Sequence, residues 1–542
     1  MASQTISSHG LANGVQGLGW QGPTSALEFE ESGMLRCLLN LKSPLWAVSV
    51  GNRTALTAAG NLTAAPGGAA VLAFVPAVLP ESLGEPAFRA TYGTRYALYG
   101  GAMANAIASV EMVIALGKAG MLGSFGSAGL GTERIEDAIR QVQAALPNGP
   151  YAFNLINNPF EPLMEQRAAD LFARHHVPVV EASAYLGITL GLVHYRAAGL
   201  SRAADGSVTI GHRIIAKLSR KEVAKRFLSP APQDLLDQLV AEGKITAAQA
   251  EMATLVPMAD DITVEADSGG HTDNRPLVGL LPTMIALRDE LQAQFHYPVP
   301  VRIGAAGGIS TPQAALAAFM MGAAYVVTGS VNQACVEAGA SAHTKALLAQ
   351  AEMPDVAMAP AADMFEMGVR VQVLKRGTLF AMRASKLYEL YSRFNAWEEI
   401  PLEERTRLET SVFKRTFDEI WTDTVQFFRE RDPRMVERGE KDARQKMALV
   451  FRWYLGMSSR WSNRGEPGRE MDYQIWCGPS MGSFNDWTRG TYLAEPANRR
   501  VADVGLQILT GAAYLARLRA LALQGIHLPA SLDMYQPQSP LL

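Results

Sequence analysis

Between residues 96 and 330, short apolar runs alternate with helix-periodic stretches. The runs at 96–99, 121–124, 151–156, 177–182, 213–218, 261–266, 301–304 and 324–328 are continuous rather than alternating. That is the pattern of strands covered on both faces, as in a parallel sheet. Between them the apolar period changes to that of a helix. Over 134–146, Ile135, Ala138, Ile139, Val142 and Leu146 fall on one face. Further helices are predicted at 162–175, 277–294 and 313–321, the last opened by Ser310 or Thr311 as cap with Pro312 in its first turn. Eight such strands alternating with helices over roughly 250 residues predict an α/β fold, a (β/α)8 TIM barrel. A doubly wound open sheet is the alternative. It is less favoured because no G-x-G-x-x-G follows the first strand and the glycine-rich turn comes last.

Outside this alternation the pattern changes. Residues 1–95 read as an N-terminal extension, irregular and rich in Gly, Ala and Pro, with strand-like runs only at 45–50 and 70–75. Residues 96–345 form the predicted barrel. Its crossover after the fifth strand is too long, and 229–257 read as a helical hairpin broken at Gly243, with Thr246 capping the second helix. Set above the strand ends, such a hairpin would be a lid or a docking surface; elsewhere it would be inert. Residues 346–542 read as a mainly helical region, with helices at 381–394, 402–431 and 436–455 whose mixed charge suggests solvated faces, and a final helix at 506–522.

The composition narrows the function. With 48% hydrophobic and 19% charged residues the chain of 542 residues is globular. A formal net charge of -3 and no basic tract argue against nucleic-acid binding. Three dispersed cysteines offer no zinc framework and fit a reducing, cytoplasmic setting. No apolar run is long enough to span a bilayer, and the first residues lack the basic and apolar regions of a secretory leader.

Candidate chemistry collects at predicted strand ends, where barrels carry their active sites. After the seventh strand, Gly307 and Gly308 allow a ligand to approach the backbone, and Gly329-Ser330 follow the eighth; such turns at helix N-termini suit a phosphate. After the sixth strand comes EADSGGHTD, in which Gly269 and Gly270 permit close approach and His271 can exchange a proton near neutral pH. Asn154 and Lys217 sit late on their strands and supply donors; Lys217, if directed inward, needs an acceptor or anion. Gly478-Pro479-Ser480-Met481-Gly482 matches the G-x-S-x-G elbow of hydrolases, which needs a strand before it and a helix after it. Ser483-Phe484-Asn485-Asp486-Trp487 makes a poor helix start, so no nucleophile is assigned there.

Taken together, GGAMAN, AGMLGSFGSAGL, FNLI, KLS, EADSGGHTD, GAAGGI and VTGS resemble the nitronate monooxygenase-like FMN barrels, over about residues 96–331. The flanking AFVPAVLPESLGEPAFRATYGTRYALYGG, FEMGVRVQVLKRGTLFAMRASKLYELY and GPSMGSFNDW resemble the PfaD-type subgroup, the trans-acting enoyl reductases of polyketide and polyunsaturated fatty acid synthases. The resemblance implies FMN and NADPH as cofactors and, as substrate, an enoyl thioester on an acyl carrier protein; a homodimer is compatible with it. It implies that Met103 and Ala104 lie along the flavin and that Asn154 and Lys217 bond its ring or ribityl oxygens. Gly269 and Gly270 would pass the flavin, Gly307, Gly308, Gly329 and Ser330 would hold its phosphate, and His271 would be the catalytic acid. The loop departs from relatives in carrying Asp267-Ser268 where they often show Glu and a small residue. The alternatives are a nitronate-oxidising flavoenzyme with His271 as base, and a non-catalytic docking module of a synthase.

Overall fold

The computed structural model describes residues 18–64 and 69–542; the reading of the first residues as lacking a leader lies outside these. Eight parallel strands close into a barrel: β1 (Leu98–Gly100), β2 (Leu122–Phe125), β3 (Ala152–Ile156), β4 (Val179–Ser183), β5 (Arg213–Leu218), β6 (Asp261–Glu265), β7 (Arg302–Ala306) and β8 (Val326–Thr328). Their order runs in sequence, with β8 pairing β1. The barrel predicted from the apolar runs is therefore the observed fold. Helices ring the strands with their apolar stripes inward, as Ile135, Ala138, Ile139 and Val142 do on Thr132–Ala145. Thr311 caps Pro312–Met320, its hydroxyl accepting from the Ala314 N–H at 3.3 Å.

The lower part of the barrel is filled by aromatic and ionic groups. Helix Pro86–Tyr92 brings Phe88 against Tyr325 (centroids 4.3 Å apart, stacked) and directs the Tyr92 hydroxyl to Asp261. Arg302 grips the same carboxylate bidentately, at 2.7 Å for each bond. Gly304 makes room for this layer, since a Cβ there would lie 2.3 Å from the Tyr325 ring. These side chains fill that end of the barrel, opposite the C-terminal ends of the strands.

The N-terminal segment is not irregular. Gly19–Gln21, Leu45–Val50, Arg53–Thr57, Asn61–Thr63 and Ala69–Val75 form a five-stranded antiparallel sheet, with helix Glu31–Leu39 packed on it. The Gly, Ala and Pro that obscured the pattern fall largely between the strands. This sheet is fastened by the long helix Val501–Leu523 and the residue after it, where Gln524 exchanges two hydrogen bonds with the Phe74 backbone (3.0 and 3.1 Å). The same helix packs on a barrel helix, with Gly511 in close contact with Pro312.

The hairpin after β5 forms as expected in itself: Gln233–Ala241, Gly243 at φ 67°, then Ala247–Ala253 with Thr246 and Gln249 as a capping box. It is not a lid. It follows the barrel helix Lys221–Phe227 and packs against Leu190–Ala198 and the strand pair Leu200–Arg202 and Val208–Ile210, with Gln249 donating to the Ala198 carbonyl. A segment that follows a barrel helix and precedes the next strand lies at the closed end, away from the mouth.

The roof comes instead from the C-terminal region. A strand pair, Val356–Pro360 with Arg370–Leu374, lies across the mouth, and helices Phe417–Arg431 and Ala443–Arg464 stand beside it. The single helix expected over 402–431 breaks at Lys414 (φ 59°), and Pro433–Lys441 is separated from the next helix by Asp442, which caps Ala443–Arg464. These helices are not simply solvated: Ala443–Arg464 buries Phe451, Tyr454, Leu455 and Trp461.

Candidate active site

A cavity of about 540 Å³ opens between the mouth and this roof. Its floor is ionic. Lys217, late on β5, points inward with Nζ 3.3 Å from Glu265 and 3.6 Å from Glu181. Burial alone would depress the lysine's proton affinity; the carboxylates, Glu265 foremost, outweigh it and raise it, so Lys217 is a fixed cation. Glu181 is wholly buried, and it accepts from the Tyr99 hydroxyl and from the Ala102 N–H at 2.9 Å. Asn154 donates to the Glu181 carbonyl at 3.0 Å and to Ser183 Oγ at 2.9 Å, leaving its own Oδ1 as an acceptor. A buried cluster of this kind survives only when nearly every charge and donor is matched.

One wall is the loop after β6. Gly270–His271 pairs antiparallel with Arg370–Leu374, so the roof strand fixes the histidine's backbone. Gly269 lies against Cys477, where a Cβ would come within 2.9 Å of the Cys477 nitrogen. Asp267 holds the loop by accepting from Gln372 and Asn274, each at 2.8 Å, so its part is structural. The His271 side chain lines the cavity, and its Nε2 lies 3.1 Å from Asp363 Oδ1, in the turn between the two roof strands. Burial would lower the histidine's pKa, but the Asp363 carboxylate overcomes it and raises the pKa above the ordinary range. Burial likewise would raise Asp363, yet the adjoining imidazolium holds it below the usual carboxylate range. The pair is a histidine biased towards its protonated form.

The opposite wall and roof are apolar and aromatic: Met103 and Ala104 after β1, then Phe427, Leu449, Trp453 and Trp476, with Arg431 and Arg452 at their edge. Those arginines are tied down, Arg452 to Glu366 at 3.1 Å and Arg431 to Glu161 at 2.5 Å.

Seven residues singled out from the sequence, Met103, Ala104, Asn154, Lys217, Gly269, Gly270 and His271, thus share one cavity. Gly307, Gly308, Gly329 and Ser330 lie outside its lining, on the neighbouring turns after β7 and β8. Gly307 and Gly308 have φ of 82° and 78°, and a Cβ on Gly307 would collide with the Ala266 backbone. A Cβ on Gly308 or Gly329 would meet nothing within 4 Å, and among the described residues neither N–H has a hydrogen-bond partner. The turns are joined to the cavity wall by Gly478, whose N–H donates to Ser330 Oγ at 3.0 Å and whose Cα packs on Ser268-Gly269. That contact accounts for the G-x-S-x-G match. A helix, Ser480–Thr488, does follow it, contrary to the sequence reading, but its glycines serve packing: a Cβ on Gly482 would lie 2.1 Å from the Met353 nitrogen.

Sequence reasoning missed Glu181, Glu265, Asp363 and the aromatic roof. Glu181 and Glu265 carried a signal, a carboxylate within or ending an apolar strand. Asp363 carried none, because only the folded hairpin brings it beside a histidine 92 residues away.

A nitronate monooxygenase family model matches residues 88–389, more than half of the chain. The chain belongs to the nitronate monooxygenase family. Within that family it has the accessory parts of a particular branch: residues 20–77 match the fatty acid synthase subunit PfaD N-terminal domain, and residues 394–473 match the inserted helical domain of [acyl-carrier-protein] S-malonyltransferase. Of solved structures, the enoyl reductase domain of MlnA from the macrolactin cluster of Bacillus amyloliquefaciens is similar over 82% of this chain and 99% of that one, at 40% identity and a TM-score of 0.77. Among curated proteins, a polyunsaturated fatty acid synthase subunit of Thraustochytrium sp. is 52% identical over 81% of this chain, and polyketide biosynthesis protein PksE of Bacillus subtilis 46% identical over 82%. This family member spans 30% and 57% of those two proteins respectively. No helix among the described residues is long and apolar enough to cross a membrane, and no cluster of metal-ligating side chains occurs among them.

Proposed function

We propose that the chain is an FMN-dependent enoyl reductase that uses NAD(P)H to saturate α,β-unsaturated acyl thioesters presented on an acyl carrier protein. The observation that carries this reading is the His271–Asp363 pair facing an apolar cavity across from the Lys217 cation. The MlnA domain is named as an enoyl reductase, and the curated relatives as parts of fatty acid and polyketide synthases, which supports carrier-bound substrates.

The residues present fit FMN. The open backbone and free N–H groups of Gly308 and Gly329 suit its phosphate, while Met103, Ala104 and Gly270 leave a surface that a flat ring can lie on. Lys217 offers an N–H donor on the cavity floor, and Asn154 an acceptor. Bound FMN would supply hydride transfer from the nicotinamide cofactor to an electron-poor alkene.

The chain's own residues supply the rest. Hydride arriving at the β-carbon leaves negative charge on the thioester oxygen and the α-carbon, which a preorganised cation or donor stabilises. With Nε2 held by Asp363, protonated His271 keeps Nδ1–H as its second donor, able to protonate the α-carbon. The aromatic lining of Phe427, Trp453 and Trp476 suits an acyl chain.

Two experiments test this. The purified protein with FMN should oxidise NADPH in the presence of a crotonyl thioester and form the butyryl thioester; turnover of alkyl nitronates with oxygen, and none of the thioester, would refute the reading. Asp363→Asn should move the alkaline limb of the kcat–pH profile to lower pH. The carboxylate holds the His271 proton to higher pH than an isolated imidazole would, and the amide removes that charge. An unmoved limb would show that His271 is not the titrating acid.

A further inference from the structure

Beside the active-site cavity lies a second, of about 590 Å³, between the loops after β1 and β2 and the far end of helix Ala443–Arg464. Asn105, Gly129, Leu130 and Arg460 line both, so the two cavities adjoin. Three guanidinium groups face the second one, from Arg134, Arg460 and Arg464, and among the described residues none of them is paired with a carboxylate. Arg460 has only the Phe427 ring at 5.8 Å. The lining also holds Glu111 and Asp137, but Asp137 is already matched by Arg140 at 3.6 Å.

One further feature offers unused donors. Thr132–Ala145 begins at Gly131, in the lining, with no side-chain cap, so the N–H groups of its first turn are open there. Unpaired like charges held together cost stability when nothing binds between them, and arginine is suited to bidentate contact with phosphate oxygens. Consistently, burial lowers the proton affinity of Arg460, and Arg431 and Arg464 lower it further.

We propose that this second cavity is a phosphate-ester subsite, holding the anionic end of a ligand whose other end enters the active-site cavity past Arg460. Two ligands of the proposed reaction have that chemistry, the phosphopantetheine arm of a carrier-bound thioester and the phosphates of the nicotinamide cofactor. The anion-binding character follows from the site's own charge and position, while the two candidate ligands rest on the enoyl reductase reading.

The test is calorimetric titration of the full-length, FMN-supplemented chain, wild type against Arg134→Gln/Arg464→Gln. The probes are 4′-phosphopantetheine, phosphate-free pantetheine and 2′-phospho-ADP-ribose. At least a tenfold loss of 4′-phosphopantetheine affinity in the variant, with pantetheine unaffected, would assign the site to the thioester arm. The same loss confined to 2′-phospho-ADP-ribose would assign it to the nucleotide. Wild type and variant binding all three probes alike, or no binding of either phosphate probe by the wild type, would overturn the subsite. Because no turnover is involved, failure of the reductase assay and failure of the subsite are separately visible.

Discussion

His271→Ala is expected to keep its flavin and lose about 10²–10⁴-fold in kcat for enoyl reduction, the range a well-placed general acid contributes. The ring is held by the roof strand and by Asp363 rather than packed in the core, so its removal leaves the floor cluster of Lys217, Glu181 and Glu265 intact. Reduction of the bound flavin by NADPH should be little changed, because the role proposed for the histidine lies in the alkene half-reaction. The check is rapid-mixing kinetics of each half-reaction. A variant as fast as wild type with the thioester would remove His271 from the proton-transfer role.

Gly308→Asp is expected to expel the flavin. A Cβ at this position enters open space, so the new side chain does not clash with protein. The backbone at φ 78° strains any L-residue, a cost of about 1–2 kcal/mol. The larger effect is charge. A carboxylate about 5 Å from a phosphate, at an effective dielectric of about 20, opposes each unit of charge by about 3 kcal/mol, or more than about 100-fold in Kd. Gly308→Asn separates the two causes, since asparagine tolerates the left-handed region and carries no charge. Flavin content per chain, read from the visible spectrum, should fall sharply for Asp and much less for Asn. Full flavin content in Gly308→Asp would move the phosphate away from this turn.

The barrel was legible because its strands are buried on both faces and so read as continuous apolar runs, each bounded by a helix-periodic stretch. Of the N-terminal sheet only the strands at 45–50 and 70–75 were legible, because short antiparallel strands such as Gly19–Gln21 and Asn61–Thr63 are too brief to show a period. The hairpin at 229–257 shows a different limit. Its helices, break and cap were all encoded locally, whereas the end of the barrel it occupies depends on the path of the chain. Among the site residues, those at strand ends, His271, Lys217 and Asn154, could be chosen because a barrel converts strand position into direction. Asp363 and the aromatic roof belong to elements folded back over the mouth, and nothing local in their sequence places them there.

The role of the C-terminal helices changes with that observation. Mixed charge along them suggested faces in water, yet Phe427, Leu449 and Trp453 close the cavity while Arg431 and Arg452 are bound to Glu161 and Glu366. A region whose charge pattern suggested solvated faces therefore forms the wall against which an acyl group would rest.

The central claim is that this cavity sets a protonated imidazole beside a flavin that reduces enoyl thioesters. Its most direct test is to reduce the flavin-loaded protein anaerobically with one equivalent of NADPH and then mix it with a crotonyl thioester while recording the visible spectrum. The predicted result is return of the oxidised flavin bands without oxygen, one butyryl thioester per flavin, and a rate that collapses in His271→Ala. A flavin that stays reduced until oxygen is admitted would contradict it.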